Sequence, residues 1–117
     1  MDAPWITRFI VDPDATMPVG LAGFHGAPDD NGMVEIGYRV DPARRRQGYA
    51  RRSVETLLAV AQRHPEVRTV RATISPDNAA SRALIDNYGF VETGEQWDVE
   101  DGLEIIYEVS AAAVLSS

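Results

Sequence analysis

The chain contains no cysteine and no lysine among its 117 residues. Without cysteine there is no disulfide, no thiol nucleophile and no Cys-type zinc site, and the redox compartment stays open. Without lysine there is no GxxxxGK[ST] loop for nucleotide phosphates, and no GxGxxG run leads from a strand into a helix. No apolar run is long enough to cross a membrane and none has the form of a leader, so the expectation is a cytoplasmic protein with no membrane partner. Positive charge is also scarce: 11 basic residues face 18 acidic ones, for a net charge of −7.

What positive charge exists is concentrated. Arg44, Arg45, Arg46, Arg51 and Arg52 place five charges and no acid in residues 44–52, so the remainder of the chain carries −12. An acidic body with one basic turn suits a small polyanion better than a nucleic acid, which needs a broad basic footprint. The same body steers cationic ligands inward. The length suits one domain, residues 1–117, with enough chain to bury a core unaided.

The basic turn lies between a strand and a helix. Glu35 to Val40 (EIGYRV) carries the β-branched and aromatic residues of a strand, and Asp41-Pro42 ends it. Ala50, Val54, Leu57, Leu58 and Ala61 then fall at helical spacing, with Arg51, Arg52, Glu55 and Gln62 on other faces. The first N–H groups of a helix have no intrahelical partners, so the amides from Arg46 to Ala50 can converge on an anion at the positive end of the dipole. Gly48 lets the backbone come close. A charge run is more often a solvated helix start, but the coincidence of strand, turn, glycine and helix favours an anion site.

Arg45-x-x-Gly48-x-Ala50 resembles the acyl-CoA pyrophosphate motif, Arg/Gln-x-x-Gly-x-Gly/Ala, of the GNAT superfamily of N-acyltransferases. A second block, Asn78-x-x-Ser81 with Tyr88-Gly89-Phe90, follows in that family's order and at its distance and makes the resemblance specific. The similarity runs from about Pro18 to Tyr107 and is nearest to the ribosomal-protein N-acetyltransferase-like branch. It implies an α/β fold (an α+β mixed sheet) in which an antiparallel meander precedes a βαβ unit with splayed central strands. It implies acetyl-CoA as co-substrate, no metal, and an acceptor amine on a small molecule or a protein N-terminus. The cofactor contacts it implies are Val40, Arg45, Arg46, Gln47, Gly48, Tyr49, Ala50, Asn78 and Ser81. Relatives begin with a strand and one or two helices that form part of the acceptor wall, and that segment is expected to be missing here. Homodimer pairing through the late strands is a further expectation.

The other elements follow from local pattern. Trp5 to Val11 and Val19 to His25 read as strands, the first closed by Asp12-Pro13-Asp14 and Pro18, and Gly26 to Gly32 as a turn cluster. Helix one spans about Gly48 to Arg63 and stops before Pro65. Val67 to Ile74 is a strand in which neither alternate face is purely apolar, and it completes a right-handed βαβ unit. The second helix starts either with Ser75 as cap and Pro76 inside it, or with Asp77 or Asn78 as cap. It runs to about Tyr88, where Gly89 suits a left-handed position. Phe90 to Val99 and Leu103 to Val109 are strands joined at Glu100-Asp101-Gly102, and Ser110 to Ser117 reads as a fraying tail.

Acyl transfer to an amine needs a neutral amine, a stabilised oxyanion and a proton for the thiolate. Deprotonating an amine of pKa ~10.4 at neutral pH costs roughly 4–5 kcal/mol, so a base or water relay helps. Glu35 is the first candidate base, placed by alternation opposite Val34, Ile36, Tyr38 and Val40 unless a bulge intervenes; the plainer alternative is a solvated strand glutamate. His25 is the second, at a strand end, with an imidazole suited to neutral pH. His64 sits at a helix end, where a cation suits the dipole. From the resemblance, the Val40 N–H serves the oxyanion and the Tyr88 phenol protonates the thiolate, against the alternative of a core aromatic. Asn78 serves as pantetheine contact, helix cap or both. The competing overall reading is a non-catalytic acyl-CoA-binding or interaction module.

Overall fold

A computed structural model describes residues 8–10, 20–40 and 48–114, and of residues 8–10, 40, 113 and 114 only the backbone. The elements are β1 (Arg8–Ile10), β2 (Gly20–Phe24), β3 (Met33–Val40), α1 (Tyr49–Gln62), β4 (Thr69–Ile74), α2 (Ala79–Asp86), β5 (Val91–Asp98), β6 (Gly102–Ser110) and α3 (Ala111–Val114). The six described strands form one sheet in the order β1-β2-β3-β4-β6-β5. β3 and β4 run parallel, and every other neighbouring pair is antiparallel. This is the expected meander followed by a βαβ unit.

The parallel seam is short. β3 and β4 pair only at Met33↔Thr69, Val34↔Val70 and Glu35↔Arg71. Beyond that point β3 keeps β2 as its partner out to Gly20↔Val40, and β4 keeps β6 out to Ile74↔Ile105. Parallel pairing is slightly weaker per residue than antiparallel, so the seam that opens is the one whose loss costs least. The expected splay therefore has a defined throat, at Glu35 and Arg71.

One core backs the sheet. Val54, Leu57, Leu58 and Ala61 of α1 meet Val34 and Ile36 of β3, Val70, Ala72 and Ile74 of β4, and Ile105, Tyr107 and Val109 of β6. Ile85 of α2 and Ala111 of α3 enter the same cluster. Full burial of each large apolar side chain contributes roughly 1.5–3 kcal/mol. All three helices thus bury their residues against the face that carries Val34 and Ile36. Alternation gives the opposite face Glu35, Gly37 and Arg39 from β3 and Thr69, Arg71 and Thr73 from β4.

Several local expectations are refined. The β2–β3 register is continuous from Phe24↔Ile36 to Gly20↔Val40, so no bulge moves Glu35 off its face. The mixed faces expected for Val67 to Ile74 resolve because the strand begins at Thr69, and within it Val70, Ala72 and Ile74 are buried while Thr69, Arg71 and Thr73 are not. Val67 is buried just before the strand begins. A bulge does occur in β5, between Glu92 and Gly94. The tail does not simply fray: Ala111–Val114 is a helical turn, held where the Ala111 N–H donates to the Arg68 carbonyl (2.9 Å) and Gln62 Nε2 donates to the Ala111 carbonyl (2.9 Å). That anchorage joins residues far apart in sequence, which local pattern does not register. Residues 1–7, 11–19, 41–47 and 115–117, with the turns expected at Asp12-Pro13-Asp14, Pro18 and Asp41-Pro42, lie outside the described residues.

Ile85 is fully buried where α2 meets the sheet. Ile85→Ala should lower unfolding stability by roughly 2–5 kcal/mol, read as a fall in urea midpoint at unchanged slope. A loss below 1 kcal/mol would mean that α2 is not anchored through this side chain.

Candidate functional site

The parted strands define the site. The His25 N–H donates to the Glu35 carbonyl (2.9 Å), so the backbone polar groups of Glu35 face β2. Alternation along a strand then turns those of Ile36, Tyr38 and Val40 toward β4, into the gap where β4 no longer pairs with them. Val40 thus presents its N–H to the gap, the position expected of an oxyanion donor. On the helix side, the Tyr38 hydroxyl oxygen is buried without a hydrogen-bond partner of adequate geometry among the described residues. Burial pushes the Tyr38 pKa up, and the nearby Ser81 hydroxyl offsets part of the rise.

Each of the two parting strands leads toward a helix N-terminus. Gly48 is the N-cap of α1 at φ 84° and ψ 4°, a left-handed conformation that an L side chain rarely adopts. It has no side chain to occupy the first-turn amides, and that turn contains no acid. A Cβ at Gly48 would meet no described atom within 4 Å. Tyr49 is buried, with the Arg52 guanidinium 5.0 Å from its ring centroid, and Ala50 is half-buried beside it. Arg45, Arg46 and Gln47 lie outside the described residues.

At α2 the two cap readings resolve in favour of Asn78. Its Oδ1 accepts from the Ser81 N–H at 3.1 Å. The preceding turn is held from within the helix, because Arg82 donates through Nε to the Tyr107 hydroxyl (3.0 Å) and through Nη1 to the Pro76 carbonyl (3.1 Å). Arg82 was not singled out from sequence. Its partners are 6 and 25 residues away, and only Pro76, with its missing donor, hinted that the turn needed an outside tie.

The candidate acid and base lie on opposite faces. Tyr88 follows α2 on the helix side and donates its hydroxyl proton to Glu55 Oε2 of α1 at 2.7 Å. Desolvation first, then the Glu55 hydrogen bond and charge, push its pKa up to about 12, against a smaller pull from Arg51. The phenol therefore holds its proton firmly and can pass it on only after leaving Glu55. Gly89 follows with φ 81° as expected.

Glu35 lies at the throat on the other face. Its Oε2 accepts from Thr73 Oγ1 of β4 at 2.9 Å and is 3.2 Å from Nδ1 of His25, so one carboxylate ties three strands. The two base candidates, read separately from sequence, are thus a contacting pair. Next to them Arg71 pairs with Glu108 of β6, donating from Nε (2.9 Å) and Nη2 (2.6 Å) to the same oxygen. His64 is instead 3.8 Å from Glu66 and stands apart from the gap. Among the described residues no group of three or more His, Asp or Glu side chains could hold a metal. No described helix is long and apolar enough to cross a membrane.

Comparison with known proteins bears on the family and the fold. The family model described as the acetyltransferase (GNAT) domain matches residues 2–91. An uncharacterized N-acetyltransferase, YjdG, of Bacillus subtilis is 36% identical over 87 residues, covering 74% of this chain and 50% of that protein. The ribosomal-protein-S5-alanine acetyltransferase of Vibrio fischeri shares the fold at a TM-score of 0.71 and 18% identity, over 80% of this chain and 55% of that one. The spermidine N-acetyltransferase of Vibrio cholerae, solved in complex with CoA and spermine, does so at 0.72 and 15%, over 85% and 62%. The chain spans about half the length of the curated relatives it matches.

The Tyr88 phenol yields a direct test. Absorbance titration at alkaline pH should show a late tyrosine step near 12 that Tyr88→Phe removes and Glu55→Gln moves downward. Because the folded value lies above the ordinary 10, this phenol favours the folded state below pH 10 and loses that contribution as the pH climbs toward 12. A titration that is the same in parent and Glu55→Gln contradicts the pairing.

Proposed function

Since the chain belongs to the GNAT acetyltransferase family, we propose that it moves an acetyl group from acetyl-CoA to a primary amine of a small molecule or a protein N-terminus. The observation that carries this reading is the parted β3–β4 seam, at whose open end the two strands run on toward the N-termini of α1 and α2. The solved neighbour with CoA and spermine supports the pairing of a CoA co-substrate with an amine acceptor. The acidic body of this chain favours a cationic acceptor by attraction.

The residues present fit acetyl-CoA. The gap-facing backbone groups of Ile36, Tyr38 and Val40 match an extended, amide-bearing arm, and the buried Tyr38 hydroxyl offers it a donor. A buried hydroxyl left unpaired costs about 1–3 kcal/mol, so a ligand that satisfies it gains by that route. Asn78 and Ser81 flank the arm at the start of α2, while the amides of Gly48, Tyr49 and Ala50, with Arg45, Arg46 and Gln47, receive the pyrophosphate. When bound, acetyl-CoA supplies the thioester. The protein holds it, turns the Val40 N–H toward the developing oxyanion, takes a proton from the amine at the Glu35–His25 pair, and returns one to the thiolate from Tyr88 once that hydroxyl leaves Glu55.

Calorimetric titration with acetyl-CoA tests the cofactor half. Gly48→Asp should weaken binding by tenfold or more, because a carboxylate held within several ångströms of a phosphate repels it by roughly 1–4 kcal/mol. Gly48→Asn imposes the same backbone strain without the charge and should cost far less. Equal affinities for the two variants would remove the phosphate role of this turn. Tight binding by the parent with no turnover on a broad panel of primary amines would favour the non-catalytic acyl-CoA-binding module instead.

A further inference from the structure

We infer that the outer edge of β5 is a docking strand for an extended polypeptide segment in which arginine or lysine alternates with apolar residues. Among the described strands β5 closes one end of the sheet, beside β6, so its outward N–H and carbonyl groups face no further described strand. Proteins blunt such an edge with lysine, proline, a very short strand or a bulge. β5 is eight residues long, contains no lysine and no proline, and has its one register shift between Glu92 and Gly94. From Gly94↔Ile106 to Asp98↔Gly102 its pairing with β6 is regular, which leaves a run of about 17 Å open along the outer side.

The two faces of that run differ. On the helix side Trp97 lies across from Leu103, and both are exposed, Trp97 at 76%. On the open side Gln96 donates through Nε2 to Glu104 Oε1 (2.9 Å). Asp98 fixes the hairpin turn by accepting at Oδ1 from the N–H groups of Glu100 (2.7 Å) and Asp101 (2.9 Å). A strand laid along this edge sets alternate side chains beside Trp97 and Leu103 on one face and beside Glu104 and Asp98 on the other, so main-chain bonds hold it and side chains select it.

Charge decides the occupant. All 11 basic residues lie at or before Arg82, whereas residues 83–117 carry eight acids and no base. A second copy paired at β5 would bring the same acids together, and like charges opposite one another in a sheet are destabilising. A basic segment is drawn to them, and its guanidinium groups also suit the exposed face of the Trp97 ring. β5 lies two strand spacings from β4, about 10 Å, and its free edge points away from the β3–β4 gap. The inference is therefore independent of the acetyl-transfer reading.

The test titrates the full chain with a short synthetic peptide of alternating arginine and valine. Amide resonances of residues 94–98 should shift and their hydrogen exchange should slow, while those of β1, at the other end of the sheet, stay as they are. Trp97→Ala should weaken binding by roughly tenfold, and Glu104→Gln by roughly two- to fivefold, each with the far-UV circular dichroism of the parent. Added salt should weaken binding, and a peptide of alternating glutamate and valine should not bind. No binding, binding that leaves the β5 amides unchanged, or equal affinity in the parent and both variants overturns the inference. Sedimentation in which the chain alone self-associates and Trp97→Ala abolishes the association assigns the edge to a second copy, and overturns the choice of a basic partner.

Discussion

The structure depends on one seam failing to continue. Three residue pairs join β3 to β4, after which each strand stays with its antiparallel neighbour, and everything proposed for the site follows from the gap between them. The gap frees the backbone of Ile36, Tyr38 and Val40 on the β4 side, and the Tyr38 hydroxyl is buried with no partner of adequate geometry among the described residues. The Glu35 carboxylate stands where pairing stops and bonds to β4 through Thr73 while touching His25 beyond β2. A single side chain therefore marks the last point at which the three strands act as one surface. The core beneath is continuous across the split, because Val34 and Val70, both fully buried, pair directly at the throat. That apolar floor lets the strands separate without the sheet coming apart.

The charge arrangement follows the same division. The acidic residues of the body are spread over the surface and the strands, while α1 begins with Arg51 and Arg52 and no acid. Positive potential at a helix start is added to the unpartnered amides there, and both favour the same ligand sign. On the open face of the sheet, Arg71 is committed to Glu108, which leaves Glu35 to its contacts with Thr73 and His25. A carboxylate paired with an arginine is a poor proton handler, since the guanidinium holds it ionised. Glu35 instead accepts from a threonine hydroxyl and touches an imidazole.

Much of this was legible in the chain itself. β3, α1 and the turn between them announce themselves by local signals: β-branched alternation, a proline stop, a glycine and a 3.6-residue apolar period. Glu35 could be assigned to its face because β3 is unbroken. What was not legible is long-range. No local pattern indicates that Tyr88 spends its proton on Glu55, 33 residues earlier, or that Thr73 reaches Glu35 across 38. The Ala111 turn was missed for the same reason, since its anchor is Gln62, 49 residues away. Sequence also left His25 and Glu35 as rivals, because strand alternation places residues on faces but does not say that the end of one strand lies over its neighbour.

That last point decides how the chemistry divides. Two glutamates, Glu35 and Glu55, each accept from a hydroxyl, one on each face of the sheet. Desolvation, with the Glu55 hydrogen bond and charge added to it, raises the Tyr88 pKa to about 12 and so keeps a proton on the helix side. On the other side Glu35 accepts from the Thr73 hydroxyl and lies 3.2 Å from Nδ1 of His25. These two contacts lie on opposite faces of one sheet, with the gap between β3 and β4 beside them. The split seam thus shapes the cleft on which the proposed function rests.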